Sequence, residues 1–279
     1  MEANRNTWAV SVMCKRFEVT RGGFYAWLGR QPSARALADE VLLGKVREVH
    51  QRSRSIYGAP RVMHSLRQDG LSIGQRRVAR LMRMAHLQGR SARLYRRSRT
   101  GQKAFFKSIP NRQRQITLEK TNQVWVGDVT YLKVRQQWRY LAVVMDKYSR
   151  RVVGWSLSDQ RDADLTCGVM RSALRRRRPE AGLIFHSDRG IEYAAHAYRN
   201  VLKRHALVQS MNRPGQMNDN AHMESFFHSL KSEYLYGKKF DTDQSLRQTL
   251  QHYVQFYNHQ RLHSSLGHLS PVDFERAMA

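Results

Sequence analysis

Residues 185–233 read FHSDRGIEYAAHAYRNVLKRHALVQSMNRPGQMNDNAHMESFFHSLKSE, and the fold turns on how this stretch divides. It begins where a short apolar run, Gly182-Leu183-Ile184-Phe185, stops abruptly at His186-Ser187-Asp188-Arg189-Gly190. A buried strand presents a carboxylate at its C-terminal tip in this way. It closes on Asn220-Ala221-His222-Met223-Glu224, where Asn220 or Asp219 is placed to cap a helix carrying Glu224 in its first turn. Gly215 between them predicts a mobile loop ahead of that helix. Upstream, Asp128 sits inside Val124-Trp125-Val126-Gly127-Asp128-Val129-Thr130-Tyr131-Leu132, whose β-branched and aromatic content predicts a strand. A carboxylate inside so apolar a run is costly unless it has a partner or a task.

Three acids carried by two strands and a helix suit a two-metal phosphoryl-transfer site. Displacement at a phosphodiester needs an activated nucleophile on one side and a stabilised leaving oxygen on the other. Two Mg²⁺ ions roughly 3.5–4 Å apart do both, with Mn²⁺ the expected substitute, and they need several carboxylates around them. Asp128, Asp188 and Glu224 are the expected catalytic residues and metal ligands. Singly, each has an ordinary reading: a structural acid, an Asx turn, a first-turn glutamate favoured by the helix dipole. Their agreeing contexts favour the site. Lys231 follows Glu224 by seven residues, about two helical turns, which predicts both on one face roughly 10 Å apart, with the lysine holding a phosphate. Among twelve histidines no Cys partners or H-E-x-x-H occur, so zinc is not expected.

Composition names the partner class. Forty-nine Lys+Arg against 22 Asp+Glu in 279 residues gives a net charge of +27, the footprint of a protein that neutralises phosphates. Cys14 and Cys167 lie far apart in no C-x-x-C spacing, which indicates neither a disulfide framework nor a structural zinc. No apolar run reaches the roughly 18 residues of a membrane helix, and no signal core follows the first residues. The expectation is a cytoplasmic, nucleoid-associated protein with no membrane role.

Taken in order, residues 1–30 predict helix, with Val10, Val12, Met13, Phe17, Phe24, Tyr25, Trp27 and Leu28 as one apolar face; a helix-turn-helix fragment and a plain helical hairpin both fit. Residues 31–90 predict a helix ending near His50, a short helix Arg61–Gln68, a tight turn at Asp69–Gly74 and a basic helix Gln75–His86. That is the layout of a helix-turn-helix DNA-binding domain, with Arg76, Arg77, Arg80 and Arg83 as contact candidates. Residues 91–120 form a basic linker or arm, Arg96 and Arg97 among its cations, expected to lie along a phosphate backbone. From residue 121 the pattern turns to strands, Val124–Val134, Trp138–Asp146 and Arg151–Ser158, followed by helix, strand, helix, strand and the acid-bearing helix. That is the order of a ribonuclease-H-like core over 121–240: an α/β fold with a mixed five-stranded sheet and flanking helices. A helical extension completes the chain over 241–279.

Several motifs resemble one family closely. Asp128-Val129-Thr130-Tyr131, Met145 to Trp155, His186 to Gly190 and Asp219 to Phe227 look like the DDE core of bacterial insertion-sequence transposases, of the second-frame type of the IS-three family, whose core is similar to retroviral integrase. Tyr257-Asn258-His259-Gln260-Arg261-Leu262-His263-Ser264-Ser265-Leu266-Gly267, followed by Ser270-Pro271, matches that family's C-terminal signature, and Tyr57-Gly58 through Arg83 resembles its helix-turn-helix segment.

The resemblance implies a Mg²⁺-binding triad of Asp128, Asp188 and Glu224, with Lys231 and neighbours such as Arg189 on DNA. It implies binding to terminal inverted repeats of double-stranded DNA, strand cleavage, and strand transfer that joins the two ends into a circle which later integrates. A homodimer or larger assembly on DNA follows, because two ends must be held together. Gly127 stands where the family usually has Thr, and a small residue there is expected to be harmless. A leucine zipper has no counterpart in residues 1–30, so a partner encoded by the upstream frame, joined by frameshifting, is expected. Two other readings keep part of this pattern: a regulator that binds DNA without cutting it, and a nuclease that cuts without joining.

Overall fold

A computed structural model describes residues 1–90 and 109–278. The N-terminal part is helical: α1 (Val10–Arg16), α2 (Arg21–Leu28), α3 (Ala34–Arg52), α4 (Ala59–Gln68) and α5 (Gln75–Met84). The Ser33 side chain accepts the Ala36 N–H to start α3, and Pro60 sits in the first turn of α4, where a missing N–H costs nothing. Strands β1 (Val124–Val134), β2 (Gln137–Asp146) and β3 (Val152–Ser158) then run antiparallel. Helix α6 (Ala163–Arg177) is capped by Asp162 and stops at Arg178, which adopts a left-handed φ of 44° ahead of Pro179. After it come β4 (Ile184–Ser187), α7 (Ile191–Ala194), α8 (His196–Arg204), β5 (Val208–Met211) and α9 (Ala221–Ser229). A π-helical turn over Leu230–Leu235 leads on to α10 (Asp243–His259) and α11 (Pro271–Ala277).

The sheet has the order β3-β2-β1-β4-β5, with β1·β4 and β4·β5 parallel. Its mixed, five-stranded form is the one the pattern predicts, with β1 in the centre. Side-chain alternation sends successive residues to opposite faces. Trp125 and Val129 of β1, with Phe185 of β4, pack on Leu165, Met170 and Tyr198 of α6 and α8. Val124, Val126, Leu132 and Val134 face the other way, onto Met223 and Phe226 of α9 and Leu246 and Tyr253 of α10.

That second cluster continues into Val46, Leu66, Val78 and Leu81 of the helical region, which therefore shares its core with the sheet. Polar contacts reinforce the join. Tyr57 donates its hydroxyl to the Gln260 carbonyl at 2.8 Å and accepts the Leu262 N–H at 2.9 Å. No helix of the described residues is long and apolar enough to cross a membrane.

The first 30 residues depart from the expected single apolar face. Met13, Cys14 and Phe24 are buried, whereas Val12, Phe17, Tyr25 and Trp27 are exposed. Periodicity marks which residues share a side; it cannot supply a surface for that side to cover.

Gly127 fits its place, and a larger residue would not. A Cβ there would lie 2.6 Å from the Phe185 ring, which is fully buried among Tyr193 and Tyr198 and has no room to swing away. We expect Gly127→Thr to destabilise the fold by about 1–3 kcal/mol through overpacking. Combining it with Phe185→Leu should return most of that loss in a urea-unfolding cycle. Additive losses would show that the two positions do not compete for space.

Candidate active site

Register places the first two acids together. In the parallel β1·β4 pairing Gly127 stands opposite Ser187, so Asp128 and Asp188 follow one step on along adjacent chains. Asp128 is 9% exposed, and its Oδ1 accepts the Val129 N–H at 2.8 Å. Asp188 lies half-buried just past the strand end, its Oδ1 accepting the Gly190 N–H at 3.0 Å.

Both carboxylates act on Arg161. Burial works against the charge on that guanidinium, but attraction and hydrogen bonding to Glu192, then to Asp188 and Asp128, outweigh it and raise its pKa. Arg161 Nη2 lies 2.9 Å from Glu192 Oε1. A Cβ on Gly190 would fall 2.6 Å from the Glu192 carboxylate, so this glycine is what lets the acid fold back beneath the strand tip. Arg161 and Glu192 were not legible beforehand: one follows β3 and the other follows the Ser-Asp-Arg-Gly turn, and only the fold joins them.

Glu224 occupies the first turn of α9. Neither proposed cap serves that helix. Asn220 instead donates Nδ2–H to the Gly127 carbonyl at 3.0 Å, fastening the start of α9 to the residue before Asp128. Asp219 accepts Arg213 through the backbone N–H at 2.9 Å and the guanidinium at 3.0 and 3.1 Å. These hydrogen bonds depress its pKa strongly. The loop around Gly215, read as mobile, is thus pinned at its base.

Among the described residues, no three His, Cys, Asp or Glu side chains stand close enough to hold one metal ion. Register sets Asp128 and Asp188 on adjacent chains, and Asn220 fastens the start of the helix that carries Glu224 to Gly127.

Lys231 lies just past the α-helix, as the second residue of the π turn that continues α9. Its ammonium lies 4.8 Å from the centroid of the Tyr131 ring on β1. Arg189 is half-buried and donates Nε–H to the Asn212 carbonyl at 2.6 Å, tying β4 to the end of β5.

The basic helix α5 buries Val78, Leu81 and Met82 and leaves Arg76 and Arg83 exposed. Arg80 and Arg77 both donate to the Asp39 carboxylate of α3, Arg77 at 2.7 Å, and together they hold its pKa below the usual range. Two of the four candidate DNA contacts are thus engaged within the protein. Arg96 and Arg97 lie outside the described residues.

An integrase-type sheet with carboxylates on neighbouring chains, one within β1 and one just past β4, behind a helix-turn-helix-like region, defines the DDE class of polynucleotidyl transferases. Residues 119–217 and 224–278 match integrase core domain families, and 36–95 match an HTH-like domain. The chain is 36% identical to the transposase InsF for insertion sequence IS3A of Escherichia coli (strain K12), over 99% of this chain and 96% of that protein. It is 38% identical to the insertion element IS600 uncharacterized 31 kDa protein of Shigella sonnei, over 94% and 97%. The HTLV-2 integrase catalytic core domain in complex with magnesium superposes with a TM-score of 0.45 at 15% identity, covering 56% of this chain and 97% of that one. The chain belongs to the IS3 family of insertion-sequence transposases.

Two outcomes follow from this geometry. His186 is wholly buried, with Nε2 donating to Asn212 Oδ1 at 2.7 Å and Nδ1 accepting from Ser210 Oγ at 2.8 Å. Burial lowers its pKa to about 4. Protonation therefore favours the unfolded chain. Its contribution is complete above about pH 6.5 and is lost as pH falls toward about 4, by up to about 3 kcal/mol. Urea midpoints measured across that range should fall more steeply for wild type than for His186→Gln; parallel curves would exclude this origin. Separately, Asp39→Asn should release Arg77 and Arg80, tightening DNA binding and steepening its salt slope by about one to two. An unchanged slope would mean that the two arginines do not reach DNA.

Proposed function

We propose that this chain cleaves DNA strands at the ends of an insertion sequence and joins the freed 3′-hydroxyl to a second phosphodiester. One observation carries the reading: the parallel register sets Asp128 beside Asp188, while Asn220 fastens the Glu224 helix to the carbonyl of Gly127. The donor set suits a hard divalent cation, since all three side chains offer carboxylate oxygens. Asp128, Asp188 and Glu224 would hold Mg²⁺, two ions per site, with Mn²⁺ as substitute. When bound, such ions polarise phosphate oxygens and activate the attacking hydroxyl or water.

The protein's own groups position the DNA. Lys231, beside Tyr131, holds a phosphate near the acids, and Arg189 supports the neighbouring loop. Arg76 and Arg83 contact the duplex from α5, with Arg77 and Arg80 joining them once Asp39 lets go, and Arg96 and Arg97 follow the backbone beyond. In the first step water attacks phosphorus and the 3′-oxygen leaves; in the second, that 3′-hydroxyl attacks and the new 3′-oxygen leaves. Joining of the two ends yields a circle that integrates by the same displacement.

We further propose that the chain binds terminal inverted repeats as a dimer or larger assembly, that it is joined to a segment from the upstream frame, and that it works in the cytoplasm on the nucleoid. Residues 31–90 serve as the DNA reader, 91–120 as its arm, 121–240 as the catalytic core and 241–279 as a helical extension, after a small helical region at 1–30.

A labelled duplex carrying an element end tests the reaction. With Mg²⁺ the wild type should give joined product that EDTA abolishes and that Asp188→Ala lowers by about three orders of magnitude or more. Glu224→Gln should keep DNA binding and lose the product. Cleaved ends without joining would identify a nuclease, and salt-sensitive binding with no cutting by a fusion to the upstream segment would identify a regulator.

A further inference from the structure

Beside the acid-bearing helix lies a second basic concavity that the catalytic reading does not use. A cleft of about 320 Å³ opens between the helical region, α9 and the segment after α10. Arg61, Arg90, Arg150 and Arg261 line it, together with the hydroxyls of Ser225 and Ser264, and among the described residues Glu233 is the one carboxylate in its wall. That carboxylate is already committed. Arg261 grips it at 2.6 and 2.8 Å, and Arg61 reaches it at 3.5 Å. Four guanidiniums facing one carboxylate leave a local excess of positive charge in a partly enclosed space, where screening is weak.

A second observation points to a missing partner. His263 lines the same cleft and is 4% exposed. Its Nδ1 lies 3.5 Å from Arg261 Nη1. His263 Nε2 has no hydrogen-bond partner among the described residues. Buried polar atoms are almost always satisfied, and an exception calls for something that supplies the partner.

We propose that this cleft is a phosphate-binding site that takes the backbone of bound DNA. Guanidiniums, hydroxyls and a neutral imidazole N–H are the groups that bind phosphate oxygens. The position favours a backbone phosphate over a free one. Arg61 belongs to α4, the first helix of the helix-turn-helix-like pair, and such helices cross the DNA backbone. Ser225 directly follows Glu224 on α9. A duplex held by the helical region and reaching Glu224 passes this wall. The assignment rests on the reading of the chain as an enzyme of DNA ends and locates a grip between its reader and its acids.

The test is equilibrium binding of a labelled duplex to the full chain in EDTA over a range of salt. Arg150→Gln should weaken binding about tenfold and lower the salt slope by about one. Lys203→Gln, which removes a charge from the exposed face of α8, should change neither. Inorganic phosphate should raise the melting temperature of wild type and not of Arg150→Gln. If Arg150→Gln does not fold, Arg61→Gln, in the same wall, replaces it with the same expectation.

Binding unchanged in the cleft variant, or lowered equally in both variants, would overturn the proposal. Loss of phosphate stabilisation with DNA binding intact would assign the cleft to free phosphate and overturn the backbone assignment. Because no step depends on cutting, a failure of the joining assay leaves this result standing on its own.

Discussion

A buried ion pair between Glu233 and Arg261 joins the parts of this molecule that must act together. Two parallel N–H···O contacts at 2.6 and 2.8 Å hold it, and Ser229 accepts a further guanidinium N–H at 3.0 Å. Around it converge Arg61 of α4, the Arg90 guanidinium donating to the Glu233 carbonyl at 2.6 Å, and the π turn that follows the acid helix. Removing either partner would strand a charge away from water, at a cost of about 3–5 kcal/mol. The helical region, the acid helix and the C-terminal signature are thus coupled by one electrostatic joint rather than linked by a tether.

That joint sits over a sheet whose faces are both covered. Helices α6 and α8 bury one side, while α9, α10 and the helical region bury the other. A strand covered on both faces has little freedom to slip, because a one-residue shift would turn every side chain to the wrong side. The acids inherit that rigidity. Asp128 and Asp188 are set by backbone pairing, and Glu224 is held to the same strand through Asn220.

Charge is handled with similar economy. A net charge of +27 would be expected to leave arginines uniformly solvated, yet Asp39 holds two of the α5 cations, and Glu275 accepts Arg177 at 2.8 Å through both carboxylate oxygens. The few acids are placed where they shape the basic surface, so affinity for a polyanion depends on which cations remain available rather than on their number.

Much of this was legible in the sequence, for reasons that are local. Strand periodicity, the apolar run ending at Asp188, Pro and Gly punctuation and the positive charge each act within a few residues, and they determined the order of elements and the ribonuclease-H-like sheet, and marked three acids as candidates. Contacts between distant residues were not legible. Asn220 looked like a helix cap and instead bonds Gly127, 93 positions away. The α5 arginines were read as DNA contacts, and two of them pair with Asp39. That Phe185 fills the space above Gly127 was hidden until the strands were paired. The apolar N-terminal residues left exposed depend equally on what packs nearby. Sequence alone determined the elements, their order and the candidate residues they carry, because propensity and pattern are short-range. Tertiary structure decided which of them meet, because burial and electrostatics depend on partners that only folding brings within reach.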